Sequence, residues 1–192
     1  MAEIFSKIVD KLSAYQLFNY LFPGIVFNMC VEQIMTFKIA PDNLLYKIFV
    51  YYITGMVLSR IGSNIIEPIY KKLCFVVYAK YNHFLEASAN DSKLDILVLE
   101  NNTYRTLIAT FFSLLLLYLI DQIQWFHDKY QHPIAIIAYM LILIFIFSVS
   151  FCKQTEFIRK KVHKNQNLND RDEINKLKEA QRNINIWKQI IT

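Results

Sequence analysis

The sequence predicts an all-α, polytopic membrane protein with four transmembrane helices, a cytoplasmic helical hairpin and a C-terminal helix. Three observations lead to this prediction. Of the 192 residues, 55% are hydrophobic and only 19% are charged, whereas soluble domains carry about 25% charged residues. Three glycines and four prolines in the whole chain indicate long helices with few turns. Apolar runs recur at about the 20 residues that a helix needs to cross a bilayer.

Four apolar segments carry this prediction, and they lie at residues 17–37, 43–59, 104–126 and 133–152. The last of them has no charged residue, and its polar groups are confined to Ser148 and Ser150 near one end. A core helix of a soluble all-α protein would instead show a polar face. The soluble alternative is therefore disfavoured, and residues 17–152 are expected to form one transmembrane domain.

Basic residues predict the orientation of these helices. Four spans leave both chain ends on one side, and almost all of the 21 lysines and arginines lie on that side. The exceptions are Lys38, Lys47 and Lys129. Because positively charged loops stay in the cytoplasm, three regions are expected there. They are an N-terminal amphipathic segment at 1–16, a helical extension at 61–103 and a basic tail at 153–192.

Small residues in the second span predict close helix packing. Gly55, Ser59 and Ser63 follow one another at four-residue intervals, and Gly62 adjoins the last of them. A small-xxx-small face lets two helix backbones approach closely. We expect these four residues to pack helices, either within the bundle or between protomers; chance placement is the alternative.

The boundary of the second span also offers an ion pair. Arg60 marks the point where this span leaves the bilayer, and Glu67 lies two helical turns further on. We expect the Arg60 side chain to snorkel to the lipid headgroups. A pairing with Glu67 is the alternative, although the separation is long for a direct contact.

Polar residues in the first span raise the question of a pore. Asn19 and Asn28 are nine residues apart, so a regular helix points them to opposite faces. A wide channel through one protomer is therefore not supported, but a narrow pore at an oligomer axis stays open. Glu32 is either interfacial or a candidate for ion handling. Pro23 and Gly24 predict a kink, which would be a static bend or a hinge.

Catalytic and metal-binding patterns are missing from the sequence. Cys30, Cys74 and Cys152 are far apart and match no zinc or disulfide spacing, so we expect small apolar core residues there. His127 and His132 lie in a short loop without the H-E-x-x-H spacing of a metal site. A phosphate-binding glycine loop, a nucleophile elbow and a carboxylate pair are also missing. We therefore expect neither enzymatic activity nor a cofactor or metal.

The extension at residues 61–103 is predicted to be a helical hairpin. Apolar residues recur at three- and four-residue spacing from Ile65 to Val77, which is typical of a helix face. The second limb is expected to begin at Asp91 or Ser92, because either residue is a good N-cap. From there it would continue into the third span.

The first part of the tail is basic and adjoins the membrane. Its cations are Lys153, Arg159, Lys160, Lys161 and Lys164. Anionic lipid attracts such a segment by about 1 kcal/mol per basic residue, so these residues are candidates for a membrane-surface contact. A plain stop-transfer signal is the alternative.

The second part of the tail predicts an interaction helix. Apolar residues follow one another at intervals of 3, 4, 3 and 4 positions, which is an a/d seam. They are Leu177, Ala180, Ile184, Trp187 and Ile191. Two heptads are too short to stand alone, so the seam should pack on the cytoplasmic hairpin, on a second copy or on a soluble partner. Nucleic-acid binding is disfavoured because acids alternate with the bases.

Three stretches, LFNYLFPGIVFN, GMVLSRIGSNIIEPIYKK and NNTYRT, resemble a family of small four-span bacterial membrane proteins. The architecture is also similar to the membrane subunit of the Kiwa anti-phage defence system, which works with a cytosolic DNA-binding partner. The resemblance implies a bacterial inner membrane and a role in anti-phage defence. We expect a non-enzymatic, homo-oligomeric anchor or sensor that recruits or regulates a cytosolic protein. The alternative is a pore-forming effector that depolarises the cell.

Overall fold

The structure, a computed structural model, describes residues 14–34, 43–124 and 133–166, together with Asn175 and Glu179. These residues form helices and no strand, which confirms the predicted all-α class. Helix α1 comprises Ala14–Gln16, a π-helical turn at Leu17–Leu21 and Phe22–Ile34. Helix α2 comprises Leu44–Ile61, a second π turn at Gly62–Ile66 and Glu67–Lys72. The remaining helices are α3 (Tyr81–Asn90), α4 (Lys93–Gln124) and α5 (Pro133–Asn165).

Three helical segments are long and apolar enough to cross a membrane: Leu44–Lys72, Lys93–Asp121 and Ile134–Asn165. They correspond to the second, third and fourth predicted spans. Helix α1, which holds the first predicted span, is not among them, because Asn19, Asn28 and Glu32 lower its apolar content. The three apolar segments support the membrane class, and the fourth span stays a prediction.

Helix α4 lies at the centre of the bundle and contacts α1, α2, α3 and α5. An apolar core joins α1, α2, α4 and α5 through Phe27, Val31, Leu58, Leu107, Phe111, Leu114 and Met140. The polar groups gather at one end of the bundle, where α2 ends, α4 begins and α5 ends. We call it the basic end; α3 packs there against α4 and α5.

Helix α5 turns most of its apolar surface outward. Only 11% of its most apolar stretch is buried inside the structure, and the exposed side chains include Ile134, Tyr139 and Phe145. In water each Å² of such surface would cost about 25 cal/mol. Soluble monomers rarely expose an apolar surface that runs along a whole helix. The surface therefore fits a lipid environment.

A proline follows each π turn after one intervening residue. The N–H of Phe22 bonds to the carbonyl of Leu17 and precedes Pro23, and the N–H of Glu67 bonds to the carbonyl of Gly62 and precedes Pro68. A proline cannot donate to the carbonyl four residues back and clashes with it. One extra residue in the preceding turn widens the helix and relieves that clash, as in other π bulges.

The first π turn bears on the expected placement of Asn19 and Asn28. Its extra residue reduces the angle between Asn19 and Asn28, which a regular helix would place on opposite faces. Both side chains are completely buried. The predicted opposite-face arrangement assumed an uninterrupted α-helical period, which the π turn at Leu17–Leu21 breaks.

The extension at 61–103 differs from the predicted hairpin. The first limb ends at Lys72 rather than continuing to Val77, residues 76–80 form neither helix nor strand, and the unpredicted helix α3 follows. Asp91 Oδ1 accepts a hydrogen bond of 3.0 Å from the N–H of Lys93 at the start of α4, where the N-cap was expected. The segment is therefore helical on both sides of a turn, but it is not a simple pair of limbs.

A cysteine in the left-handed conformation ends α2. Cys74 has φ 57°, its N–H bonds to the carbonyl of Lys71, and the N–H of Phe75 bonds to the carbonyl of Tyr70. These two bonds define a Schellman motif, which usually places glycine at this position. The rings of Tyr70 and Phe75 lie 6.1 Å apart and provide the apolar contact that accompanies the motif.

We expect Cys74→Gly to stabilise the protein by about 0.5–1 kcal/mol. The left-handed conformation costs about 1–2 kcal/mol for a residue with a Cβ, and the larger unfolded-state entropy of glycine removes part of that gain. Thermal unfolding in detergent measures the effect. Cys152→Gly is the matched control and should destabilise, because it lies within helix α5. A lower midpoint for Cys74→Gly would contradict the motif.

Candidate functional site: the polar junction at the basic end

Buried and half-buried polar side chains meet where the end of α2, segment 76–80, α4 and α5 converge. We call this group the polar junction, and its members are Glu67, Tyr78, Asn101, Arg105, Thr155 and Arg159. They line a cavity of about 310 Å³ together with apolar side chains. Burying so many polar groups costs free energy unless they bond to one another.

An ion pair forms the centre of the junction. Arg105 Nη1 on α4 bonds to Glu67 Oε2 at the end of α2, and their side chains are only 12% and 16% exposed. Lys71 Nζ lies 2.7 Å from the other carboxylate oxygen, Glu67 Oε1. Glu67 therefore pairs with Arg105 and Lys71, and the predicted pairing with Arg60 is wrong. The π turn at Gly62–Ile66 changes the face on which Glu67 lies.

A neutral phenol lies beside this pair. Burial raises the pKa of Tyr78, and the negative charge of Glu67 raises that pKa further. Lys71 Nζ lies 4.7 Å from the centre of the Tyr78 ring, which is cation–π distance. Thr155 on helix α5 is close enough to Tyr78 to oppose part of this rise in pKa, so Tyr78 brings segment 76–80 against helix α5.

Helix α5 adds two further ties. Thr155 Oγ1 lies 3.1 Å from Asn101 Oδ1 on α4, and both residues are buried. Arg159 Nη1 donates to the carbonyl of Val77 at 3.3 Å. The first contact joins α5 to α4 and the second joins α5 to segment 76–80. Together with the Glu67–Arg105 pair, they hold α2, segment 76–80, α4 and α5 in one arrangement.

The predicted small residues make the junction sterically feasible. A Cβ on Gly62 would lie 3.2 Å from the carbonyl oxygen of Arg105, so the missing side chain lets α2 approach α4 at that point. Ser59 is buried on the same side, and Ser63 Oγ donates to the carbonyl of Arg60. Gly62 thus brings Glu67 within reach of Arg105.

Gly55 packs more closely still, against α1. A Cβ on Gly55 would lie 1.6 Å from the carbonyl oxygen of Tyr20, and one on Gly24 would lie 1.8 Å from that of Tyr51. The two helices run antiparallel and cross with their backbones in contact. Gly24, which was expected only to bend α1, is the second half of this crossing. The packing observed is within one chain, and an oligomer contact stays a prediction.

The basic residues of α5 divide into two groups. Arg159 is buried in the junction, and Lys161 Nζ lies 2.9 Å from Asp91 Oδ2. That ammonium holds the pKa of Asp91 below its ordinary value, with help from the N–H of Lys93. Lys153, Lys160 and Lys164 are exposed. A membrane-surface position for Arg159 is wrong, because segment 76–80 covers that face of α5.

Unsatisfied polar atoms along α1 are a second feature of interest. Asn19 Nδ2 and Oδ1, Asn28 Oδ1 and Glu32 Oε1 are buried without a hydrogen-bond partner among the described residues. Asn28 Nδ2 donates to the carbonyl of Gly24 at 2.7 Å. Unsatisfied polar groups are costly inside a membrane and mark functional positions there.

Fold and junction together define a helical membrane protein with a folded cap at the basic end. The cap consists of α3 and the adjoining ends of α4 and α5. Within the described ranges, no group of three His, Cys, Asp or Glu side chains could hold a metal ion. The predicted tail seam, from Leu177 to Ile191, lies outside the described residues. Comparison of the chain with protein-family models, with curated proteins and with solved structures finds no match.

Proposed function

We propose that this chain is a non-enzymatic membrane anchor or sensor that recruits or regulates a cytosolic protein partner. The observation that carries the proposal is the folded cap at the basic end. Helix α3 and the ends of α4 and α5 share a buried apolar cluster of Ala87, Leu94, Ile158 and Val162. A stop-transfer signal alone would need charges but no such core.

Side-chain bonds between the elements of the cap also stabilise it. Lys161 bonds to Asp91, and Gln154 Nε2 on α5 donates to Glu100 Oε2 on α4 at 2.8 Å. Together with the polar junction, these bonds hold the cap against the ends of the membrane helices. A change in the bilayer part can therefore reach the cap, which is what a sensor requires.

The proposed topology has four spans with both termini in the cytoplasm of a bacterial cell. Helix α1 has the length for a span, because 21 helical residues extend about 30 Å, and it runs antiparallel to α2 along the bundle. The concentration of lysine and arginine at the basic end supports a cytoplasmic cap. The inner membrane and the anti-phage context rest on the resemblance described above.

The partner contact is proposed for the tail. Helix α5 continues through the cap to Asn165, and the seam at Leu177, Ala180, Ile184, Trp187 and Ile191 begins twelve positions further along the chain. A second copy of the chain and a cytosolic protein both fit an a/d seam of this length. Binding of nucleic acid is not part of the proposal.

The test replaces Ile184 and Trp187 by aspartate in the full-length chain expressed in its native host. Charges on the seam should abolish crosslinked partner recovery and lower the oligomer mass in detergent, while membrane insertion is retained. Gln181→Asp with Asn185→Asp is the matched control, because it adds the same charge beside the seam. Unchanged partner recovery and unchanged mass in the seam variant would refute the proposal.

An oligomeric pore-forming effector is the second candidate function. The unsatisfied atoms of Asn19, Asn28 and Glu32 favour it. These atoms are buried within the chain, so α1 would have to turn them toward a water-filled path for them to find partners there. Overexpression of such a pore should collapse the membrane potential, which a voltage-sensitive dye reports, and Asn28→Leu should restore it. An anchor should leave the potential unchanged in both cases.

A further inference from the structure

The cavity of the polar junction has an aromatic side and an amide side. Tyr78, Tyr81 and Phe84 line it from segment 76–80 and helix α3, and Asn101 and Asn102 line it from α4. Its volume of about 310 Å³ gives room for about ten water molecules at ~30 Å³ each. An apolar and aromatic lining with a few polar groups is typical of a small-molecule site.

The charged side chains of this cavity are already bonded within the protein. Glu67 pairs with Arg105 and Lys71. Arg159 is buried and donates to the carbonyl of Val77. A charged ligand would have to displace one of these partners, so the cavity favours a neutral group that bonds to the amides instead.

The two asparagines keep hydrogen-bonding groups that the fold does not use. Asn101 is only 5% exposed, and one heavy atom of its amide lies 3.1 Å from Thr155 Oγ1. The other amide atom of Asn101, and both amide atoms of Asn102, make no hydrogen bond to a described residue. None of these three atoms is sealed off from solvent. They therefore offer donors and acceptors to a molecule inside the cavity.

The aromatic side offers flat surfaces. Tyr81 and Phe84 lie three positions apart on α3 and so share a face of that helix. Neither ring contacts another aromatic ring within the described ranges. Tyr81 is 71% exposed and thus lies at the mouth of the cavity. Nucleic-acid bases stack on such side chains.

We propose that this cavity binds an adenine ring, carried by a small nucleoside or nucleotide. A carboxamide forms a bidentate pair with the amino group and the neighbouring ring nitrogen of adenine, and both amide atoms of Asn102 are available for it. Asn101 supplies a further contact, and Tyr81 stacks on the ring. An adenine ring has about as many non-hydrogen atoms as the waters that it displaces.

The proposed function enters only through the consequence of binding. Helices α2, α3, α4 and α5 and segment 76–80 all contribute to the cavity wall, so a bound ring ties the membrane helices to the cap. It would be the signal that the proposed sensor reads. Adenosine binding to the purified protein and partner recovery through the tail are separate measurements, so the failure of one does not decide the other.

The test titrates adenosine into the purified full-length protein in detergent and measures binding by calorimetry. Inosine, in which a carbonyl oxygen replaces the amino group, should bind about tenfold more weakly than adenosine, because the bidentate pair is lost. Asn102→Leu should weaken adenosine binding by a similar factor. Asn82→Leu is the matched control, because Asn82 is exposed on α3 and lies outside the cavity lining; it should change nothing.

A second variant tests the aromatic side. Tyr81→Ala should weaken adenosine binding about tenfold, the effect of removing one stacked ring, and the thermal midpoint shows that each variant still folds. Adenosine monophosphate in a parallel titration assigns the source of the ring: tighter binding than adenosine indicates a nucleotide, and equal or weaker binding indicates a nucleoside. The proposal would be overturned by a wild type without saturable adenosine binding, by equal affinities for adenosine and inosine, or by equal effects of the two asparagine variants.

Discussion

Gly55→Ala is expected to destabilise the protein by about 3 kcal/mol or more, the upper range for overpacking a closely packed site. The added Cβ would lie 1.6 Å from the carbonyl oxygen of Tyr20 and within 3 Å of two further backbone atoms of that residue. Backbone atoms cannot rotate away as a side chain can, so α1 and α2 must separate. The helix propensity gained by alanine, about 1 kcal/mol, is too small to offset this. Thermal unfolding in detergent measures the loss.

Gly62→Ala is the graded control for this prediction. A Cβ there would lie 3.2 Å from the carbonyl oxygen of Arg105, a contact that a shift of a few tenths of an ångström relieves. We expect a change within about 1 kcal/mol, because the alanine also gains helix propensity. Equal losses at Gly55 and Gly62, or no loss at Gly55, would contradict the backbone crossing of α1 and α2.

Arg105→Met is expected to cost about 3 kcal/mol of stability. It leaves the largely buried Glu67 carboxylate with Lys71 as its remaining cation, and removal of one partner of a buried pair costs about 3–5 kcal/mol. The value is set at the lower end because Lys71 still compensates part of the charge. Thermal or denaturant unfolding of the purified variant checks this.

Arg60→Met provides the matched control, with the same change of residue type. Arg60 is exposed on α2, so its replacement should alter stability by less than about 0.5 kcal/mol. A double variant with Arg105→Met and Glu67→Leu should lose less stability than the sum of the two single losses, because neither buried charge then lacks the other. If Arg60→Met were the more damaging change, Glu67 would have to pair with Arg60 rather than with Arg105.

Long apolar segments were predictable because composition alone identifies them. Helices α4 and α5 carry uninterrupted runs, and the start of α4 follows from the N-cap chemistry of Asp91. The concentration of basic residues likewise identified one end of the bundle. These features depend on neighbouring residues and on transfer into lipid, which a single sequence contains.

Contacts between helices were harder to predict because they depend on register. Glu67 pairs with Arg105, 38 positions away, only because the π turn reorients the end of α2. Helix α3 was missed because the left-handed residue that ends α2 is a cysteine, which carries no turn signal. Arg159 looked like a surface cation, since the sequence does not show that segment 76–80 packs over it.

The two π turns also bear on how distant relatives of this chain would be recognised. Each turn holds one residue more than a regular helix and is tied to the proline that follows it. A homologue without Pro23 or Pro68 would be free to delete that residue and keep the same helix faces. Sequence alignments within this fold should therefore permit single-residue gaps at Leu17–Leu21 and Gly62–Ile66, inside helices where gaps are normally penalised most heavily.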